Sequence, residues 1–178
     1  MKKQLNKLLT HSLLTAALTG IAGTAIAETM AMDVYKSPTC GCCANWVDIM
    51  RDNGFTVNVH DVGNDDARTK AGISDELGSC HTALVNGYAI EGHVPVEDIK
   101  RLLKEKPRAV GLAAPGMPHG SPGMETGRVD SYNVLLVRKP GDQRKAAEIY
   151  NRYGPQKTQF MDKAPKSNNA SESILRLK

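Results

Sequence analysis

Cys40-Gly41-Cys42-Cys43 places three of the chain's four cysteines within four residues, and no other segment restricts the chain so tightly. Cys40 and Cys43 have the C-x-x-C spacing of a reversible disulfide at the start of a helix. Cys42 puts a third sulfur between them, which a simple dithiol couple does not need. Three thiolates at one point have the character of a soft-metal site, since thiolates select Cu(I), Zn(II) or iron–sulfur over hard ions. The fourth cysteine, Cys80, is followed directly by His81. An even cysteine count also admits two structural disulfides. That alternative is weaker here, because Cys42 and its close neighbours are hard to join to one another without strain.

The amino terminus bears on the compartment. Lys2, Lys3 and Lys7 form a positive region, Leu8 to Ala22 is mostly apolar, and Ala25-Ile26-Ala27 gives a small-x-small cleavage pattern before Glu28. The stretch is short and broken for a transmembrane span. Residues 1–27 therefore read as a secretory signal peptide and residues 28–178 as the mature chain, a retained anchor being the weaker alternative. No later segment is apolar enough to span a bilayer, so no membrane association is expected after cleavage. The whole chain carries +4, from 23 basic against 19 acidic side chains. Removing the three signal lysines leaves 20 against 19. A near-neutral mature chain has no electrostatic footprint for nucleic acid. An oxidising space allows disulfides, and it allows metal thiolates where the metal protects them.

With two Phe, five Tyr and one Trp, the core must be modest. Asp33 to Ser37 reads as a first strand ending at Pro38. A helix follows from about Cys42, with Cys43, Trp46, Val47 and Met50 recurring on one face, and Asn53-Gly54 stops it with a residue suited to a left-handed cap. Phe55, Val57 and Val59 alternate as a half-buried strand does. Asp65 to Gly72 is a short charged helix. His81 to Asn86 and Tyr88 to Glu91 flank Asn86-Gly87, a strong hairpin signal. Pro95 suits the first turn of a helix. Val96, Ile99, Leu102 and Leu103 give that helix its apolar stripe, acidic residues lie in its first turn and lysines in its last, and Pro107 ends it. The order is β-α-β-(α)-β-β-α.

That order is the thioredoxin arrangement, with the cysteines at the first strand–helix junction. Four motifs make the resemblance specific: Tyr35-Lys36-Ser37-Pro38-Thr39-Cys40-Gly41-Cys42-Cys43, Ser79-Cys80-His81-Thr82-Ala83, Gly87 to Pro95, and Gly116 to Glu125. Together they closely resemble the periplasmic CxCC copper-resistance proteins called CopG, from about Asp33 to Val137. The resemblance implies an α/β, thioredoxin-like domain with a Gly/Pro/Met-rich C-terminal extension, a copper–sulfur cluster beside the CxCC motif, and a periplasmic role in copper tolerance. The organisation expected is a signal over 1–27, a thioredoxin-like CxCC domain over 28–110, a metal-site loop and strand extension over 111–154, and a mobile tail over 155–178.

In the thioredoxin topology the end of the first strand, the start of the first helix and both ends of the hairpin meet at one rim. Cys40, Cys42, Cys43, Cys80, His81 and His93 would therefore converge although far apart in sequence. Thioredoxin-like proteins usually carry a cis-proline before the third strand; Ser79-Cys80 stands there instead, which favours a sulfur aimed at a metal over dithiol exchange. The helix N-terminus favours a thiolate and lowers its pKa, and Cys43 should be the least exposed cysteine of the three. The segment 111–127 holds five glycines, three prolines, Met117, Met124 and His119, with little that could form a helix or strand. A long loop of this kind is functional or disordered. Thioether sulfur suits Cu(I), so Met117 and Met124 are expected to fold over the cluster as a lid, gap-filling against the core being the alternative. His119 is as readily a solvated loop residue as a ligand, and His60 is structural or exposed. Tyr132 to Val137 reads as a further strand pairing with Glu148 to Tyr153, a short helix over 143–153 being the alternative.

The expected function is a copper-binding protein that holds a multi-copper thiolate cluster and interconverts Cu(I) and Cu(II), with Cys40 and Cys43 as the redox pair. A periplasmic thiol–disulfide oxidoreductase and a non-catalytic copper carrier or storage protein are the alternatives. The expected partners are copper ions and other periplasmic copper-handling proteins, and the expected state is a monomer.

Overall fold

The computed structural model describes residues 30–155. The signal over 1–27 and nearly all of the tail from 155 lie outside the described residues. Seven strands form one sheet, accompanied by three helices: β1 (Met30–Lys36), α1 (Gly41–Asp52), β2 (Phe55–His60), α2 (Asp65–Ala71), β3 (His81–Val85), β4 (Tyr88–Glu91), α3 (Val96–Glu105), β5 (Gly111–Ala113), β6 (Tyr132–Val137) and β7 (Ala147–Tyr153). A single 3-10 turn, Asp75–Leu77, precedes β3. The mixed α/β order expected through α3 is the order found. No helix among the described residues is long and apolar enough to cross a membrane.

The strands lie in the order β2-β1-β3-β4-β5-β6-β7. β1 and β2 run parallel, as a crossover through α1 requires. β1 pairs antiparallel with β3, and β3 with β4 across Asn86-Gly87. Both turn residues take positive φ, +46° and +78°, the conformation a two-residue hairpin needs. β4 pairs parallel with β5, which pairs antiparallel with β6, and β6 with β7.

Two findings revise or complete the sequence reading. Gly111–Ala113 is strand β5, although the glycine- and proline-rich segment 111–127 promised no regular element. Gly111 packs directly on the Ala89 backbone, where a side chain would collide, so the glycine is what admits this strand beside β4. The ambiguous stretch before Tyr153 is a strand: β7 satisfies the outer backbone groups of β6.

Alternation along the strands sorts side chains onto two faces. Met32, Val34, Ile90, Leu112 and Val134 meet Trp46, Val47 and Met50 of α1 and Ile99 and Leu102 of α3 in the main core. Ala89, Ala113 and Val137, each next to a main-core residue, face the other way and pack with Ile73 and Val110. Trp46 does more than fill space. It is fully buried, and its indole N–H donates to the Val94 carbonyl at 3.0 Å, tying α1 to the turn that follows β4.

Candidate metal centre

Cys40 is the N-cap of α1, and Cys42 and Cys43 lie in its first turn. Residues three apart meet on a helix start, and Cys40 and Cys43 are joined as a disulfide with their Cα atoms 5.4 Å apart. Cys42 and Cys80 are free thiols, both half-buried, and the Cys42 sulfur is 3.5 Å from that of Cys40. Cys43 is fully buried, as its place on the inner helix face dictates. Its sulfur lies 3.5 Å from the carbonyl oxygen of Cys80. β1 and β3 are antiparallel neighbours, so Cys80, just before β3, arrives beside the residues that follow β1. All four sulfurs lie within 4.8 Å of one another.

Cys80 belongs to a second donor group with His81 and His93, whose ligand atoms also lie within 4.8 Å of one another. The Cys80 sulfur is 3.0 Å from His93 Nε2 and 3.8 Å from His81 Nδ1. His93 Nδ1 lies 2.8 Å from the Pro122 carbonyl, which can only accept, so Nδ1 carries the proton and Nε2 turns its lone pair to the sulfur. A histidine held this way by its other nitrogen is oriented as metal-binding histidines are. His81 is fully buried, packed against Trp46 and edge-on to His93, with ring centroids 4.5 and 5.0 Å away. Its Nε2 is buried and has no hydrogen-bond partner.

Burial governs the protonation of this site. It pushes His81 down to about 3, helped by neighbouring His93, and it lowers His93 as well. Both imidazoles are thus neutral at pH 7, the form a metal needs. Burial and the adjacent Cys42 push the Cys80 thiol up to about 11. Cys80 is therefore a thiol at neutral pH, and its S–H faces the His93 lone pair. A metal would have to displace that proton to gain the thiolate.

The segment after β5 closes over α1. Beyond the Pro122 contact, Gly123 sits so near the helix that a Cβ there would lie 2.6 Å from the Cys42 carbonyl oxygen and 2.9 Å from the Trp46 nitrogen. Met124 comes next and is half-buried, whereas Met117 is 56% exposed. His119 faces Thr126 Oγ1 at 2.7 Å, and His60 pairs with Asp33 at 3.0 Å and stacks on Tyr35. Neither histidine is in the two donor groups. The structure thus gathers Cys40, Cys42, Cys43, Cys80, His81 and His93.

One residue of this region escaped the sequence reading. Glu91, fully buried, accepts from the Ser79 amide at 2.7 Å and the Thr82 hydroxyl at 2.6 Å. Burial pushes its carboxyl up to about 7. The available signal was an acid closing an otherwise apolar hairpin strand.

A family model described as "Protein of unknown function, DUF411" matches residues 77–124, the stretch that carries Cys80, Glu91, His93 and the closing segment. A solved structure described as "Copper resistance protein copG- Form 2" is 41% identical, with a TM-score of 0.64, covering 71% of this chain and 99% of that one. Another, described as "Copper resistance protein copG- Form 1", is 40% identical, with a TM-score of 0.65, covering 72% of this chain and all of that one. No curated protein sequence matches.

Proposed function

The chain belongs to the CopG copper-resistance family, and from that premise we propose that it is a periplasmic copper-binding protein that holds copper at the CxCC motif and interconverts Cu(I) and Cu(II). The observation that carries this reading is the convergence of four sulfurs within 4.8 Å, one of them shared with two neutral histidines. The donor set suits copper. Thiolates favour Cu(I), imidazole accepts either oxidation state, and the buried, unpartnered Nε2 of His81 is a donor without an internal use. Cys40, Cys42, Cys43 and Cys80 would hold a multi-copper cluster as thiolates, with His81 and His93 beside it and Met117 and Met124 as supplementary thioether ligands.

Cys40 and Cys43 can pass electrons to copper once an external reductant has opened their disulfide. An external thiol or electron donor opens the Cys40–Cys43 disulfide by supplying two electrons and two protons; when the two thiols close again they release two protons and two electrons, enough to reduce two cupric ions to cuprous ions. The cluster needs the open form, because a disulfide sulfur is a poor ligand compared with a thiolate. Copper bound at such a site lends the thiol pair a one-electron acceptor. A thioredoxin-like reading of β1-α1-β2-β3-β4-α3 accords with this use of a helix-capping C-x-x-C, with β5 to β7 as its extension. We also hold that residues 1–27 are a cleaved export signal and that the mature protein is a monomer.

The closed disulfide favours one competing reading, a thiol–disulfide oxidoreductase using Cys40 and Cys43 without Cys42. Copper titration of the reduced mature protein and its four single Cys→Ser variants, beside an insulin-reduction assay, separates the two. More than one copper per chain, lost in Cys42→Ser, supports the cluster. Wild-type copper content in Cys42→Ser, together with insulin reduction, would leave the oxidoreductase.

A further inference from the structure

Ser79 stands just before Cys80 and outside the sheet, since β3 begins at His81. Its backbone groups therefore have no ladder partners, yet both are bound by side chains. The Ser79 N–H donates to Glu91 Oε1 at 2.7 Å, and the Ser79 carbonyl accepts from Asn64 Nδ2 at 3.2 Å. Asn64 also reaches Thr82 Oγ1 at 3.2 Å and Glu91 Oε1 at 3.4 Å. Glu91 lies directly opposite Thr82 in the β3–β4 register and takes the Thr82 hydroxyl on its second oxygen at 2.6 Å. Arg68 approaches the same carboxyl at 3.9 Å while bridging Asp65 and Asp75.

The peptide planes on both sides of Ser79 are thus held, one by an acceptor and one by a donor. With them the backbone that leads into Cys80 is set. The residue just past β4 reinforces the hold: Gly92, at φ +73°, lies so close to Ser79 and to the Ala114 carbonyl that a side chain there would collide with both. Ser79 Oγ in turn donates to the Gly116 carbonyl at 2.5 Å, linking the same short segment to the closing strap. Glu91 itself touches no sulfur and is in neither donor group.

We propose that Glu91 is a positioning residue: it fixes the Ser79–Cys80 backbone so that the Cys80 sulfur is shared between the cysteine cluster and the two histidines. The functional consequence rests on the reading that Cys80 binds copper; the placement itself does not. A carboxyl suits the task because its two oxygens serve two donors from different segments, the Ser79 amide and the Thr82 hydroxyl. Glutamine can accept the Ser79 N–H with its oxygen and donate from its NH2 to the Thr82 hydroxyl oxygen. Leucine fills the volume and can do neither.

The test uses the mature protein in its metal-free disulfide form, where Cys42 and Cys80 are the free thiols. Iodoacetamide labelling rates at each are read by mass spectrometry, and the reduced protein is titrated with Cu(I). In Glu91→Leu the Cys80-to-Cys42 rate ratio should rise at least tenfold and Cu(I) affinity fall at least tenfold, while Glu91→Gln stays within twofold of wild type on both. A folded Glu91→Leu with an unchanged rate ratio overturns the proposal, since a residue serving stability alone would shift melting but not that ratio. Should Glu91→Leu not fold, Thr82→Val takes its place: a ratio raised threefold or more supports the clamp and an unchanged ratio overturns it. Wild-type protein that binds no copper, with the ratio still rising in Glu91→Leu, would refute the copper reading and leave the clamp standing.

Discussion

Replacing Gly123 with alanine tests how the closing strap meets the site. Gly123 has φ +81°, and its Cβ would lie 2.6 Å from the Cys42 carbonyl oxygen and 2.9 Å from the Trp46 nitrogen, both helix backbone. No side-chain rotation can relieve that overlap. The left-handed conformation by itself costs an L-residue roughly 1–2 kcal/mol. Lifting the strap to clear the helix then breaks the 2.8 Å bond from His93 Nδ1 to Pro122, about 1 kcal/mol net. The expected loss is roughly 3 kcal/mol in all, or a melting temperature lower by about 10 °C for a domain of this size. Gly127 provides the control, with φ +84° and nothing within 4 Å of its added Cβ. Gly127→Ala should show only the conformational part, roughly 1–2 kcal/mol. Urea denaturation of the metal-free disulfide form measures both, and Cu(I) titration of the reduced form should show weaker binding for Gly123→Ala alone. Equal stability losses at the two positions would mean that the strap yields freely, and the reasoning would fail.

Replacing both Met117 and Met124 with leucine keeps apolar volume and should cost less than about 1.5 kcal/mol in stability, while Cu(I) affinity falls; wild-type copper binding and cycling in that variant would make them packing residues. Because burial keeps Cys80 a thiol at neutral pH, copper binding should displace its proton, so a pH indicator in weak buffer should show one proton fewer released by reduced Cys80→Ser than by reduced wild type. The metal-free protein should also show opposed titrations. His81, ordinarily 6.5 and about 3 when folded, takes a proton first in the unfolded chain, so its contribution to stability is lost as pH falls from 6.5 toward 3. Glu91, ordinarily 4.5 and about 7 when folded, holds its proton longer in the native state, so its contribution grows as pH falls from 7 to 4.5. Unfolding free energies from urea titration should thus fall more steeply between pH 6.5 and 4.5 in Glu91→Gln than in wild type, by up to about 1.4 kcal/mol per pH unit; parallel profiles would refute the assignment.

Where a structural feature depends on neighbours in the chain, it could be read before any coordinates. The helix from Gly41 shows its inner face through Cys43, Trp46, Val47 and Met50, and all four are buried. Asn86-Gly87 names its own turn, and α3 carries its stripe, its acids and its lysines in order. The candidate ligands were equally legible by type, since sulfur and imidazole near strand ends are few in this chain.

Partner choice across the fold was not legible. A three-residue strand starting with glycine has no periodicity to detect, and β5 exists because Ala89 and its neighbours offer an open strand edge that only a glycine can approach so closely. β7 is a strand because β6 needed a partner. The site's finer chemistry rests on contacts between residues distant in sequence: Cys43 meets Cys80 across 37 positions, and His93 meets Pro122 across 29. Those contacts decide which nitrogen of His93 faces the sulfur, why Cys80 keeps its proton, and why a buried glutamate stands behind it. The sequence by itself determined the donor types and the local elements, because these follow from side-chain chemistry and short-range periodicity. Burial and hydrogen-bond partners, which set protonation and orientation, arise only when remote segments exclude water together, and so the tertiary structure alone decided them.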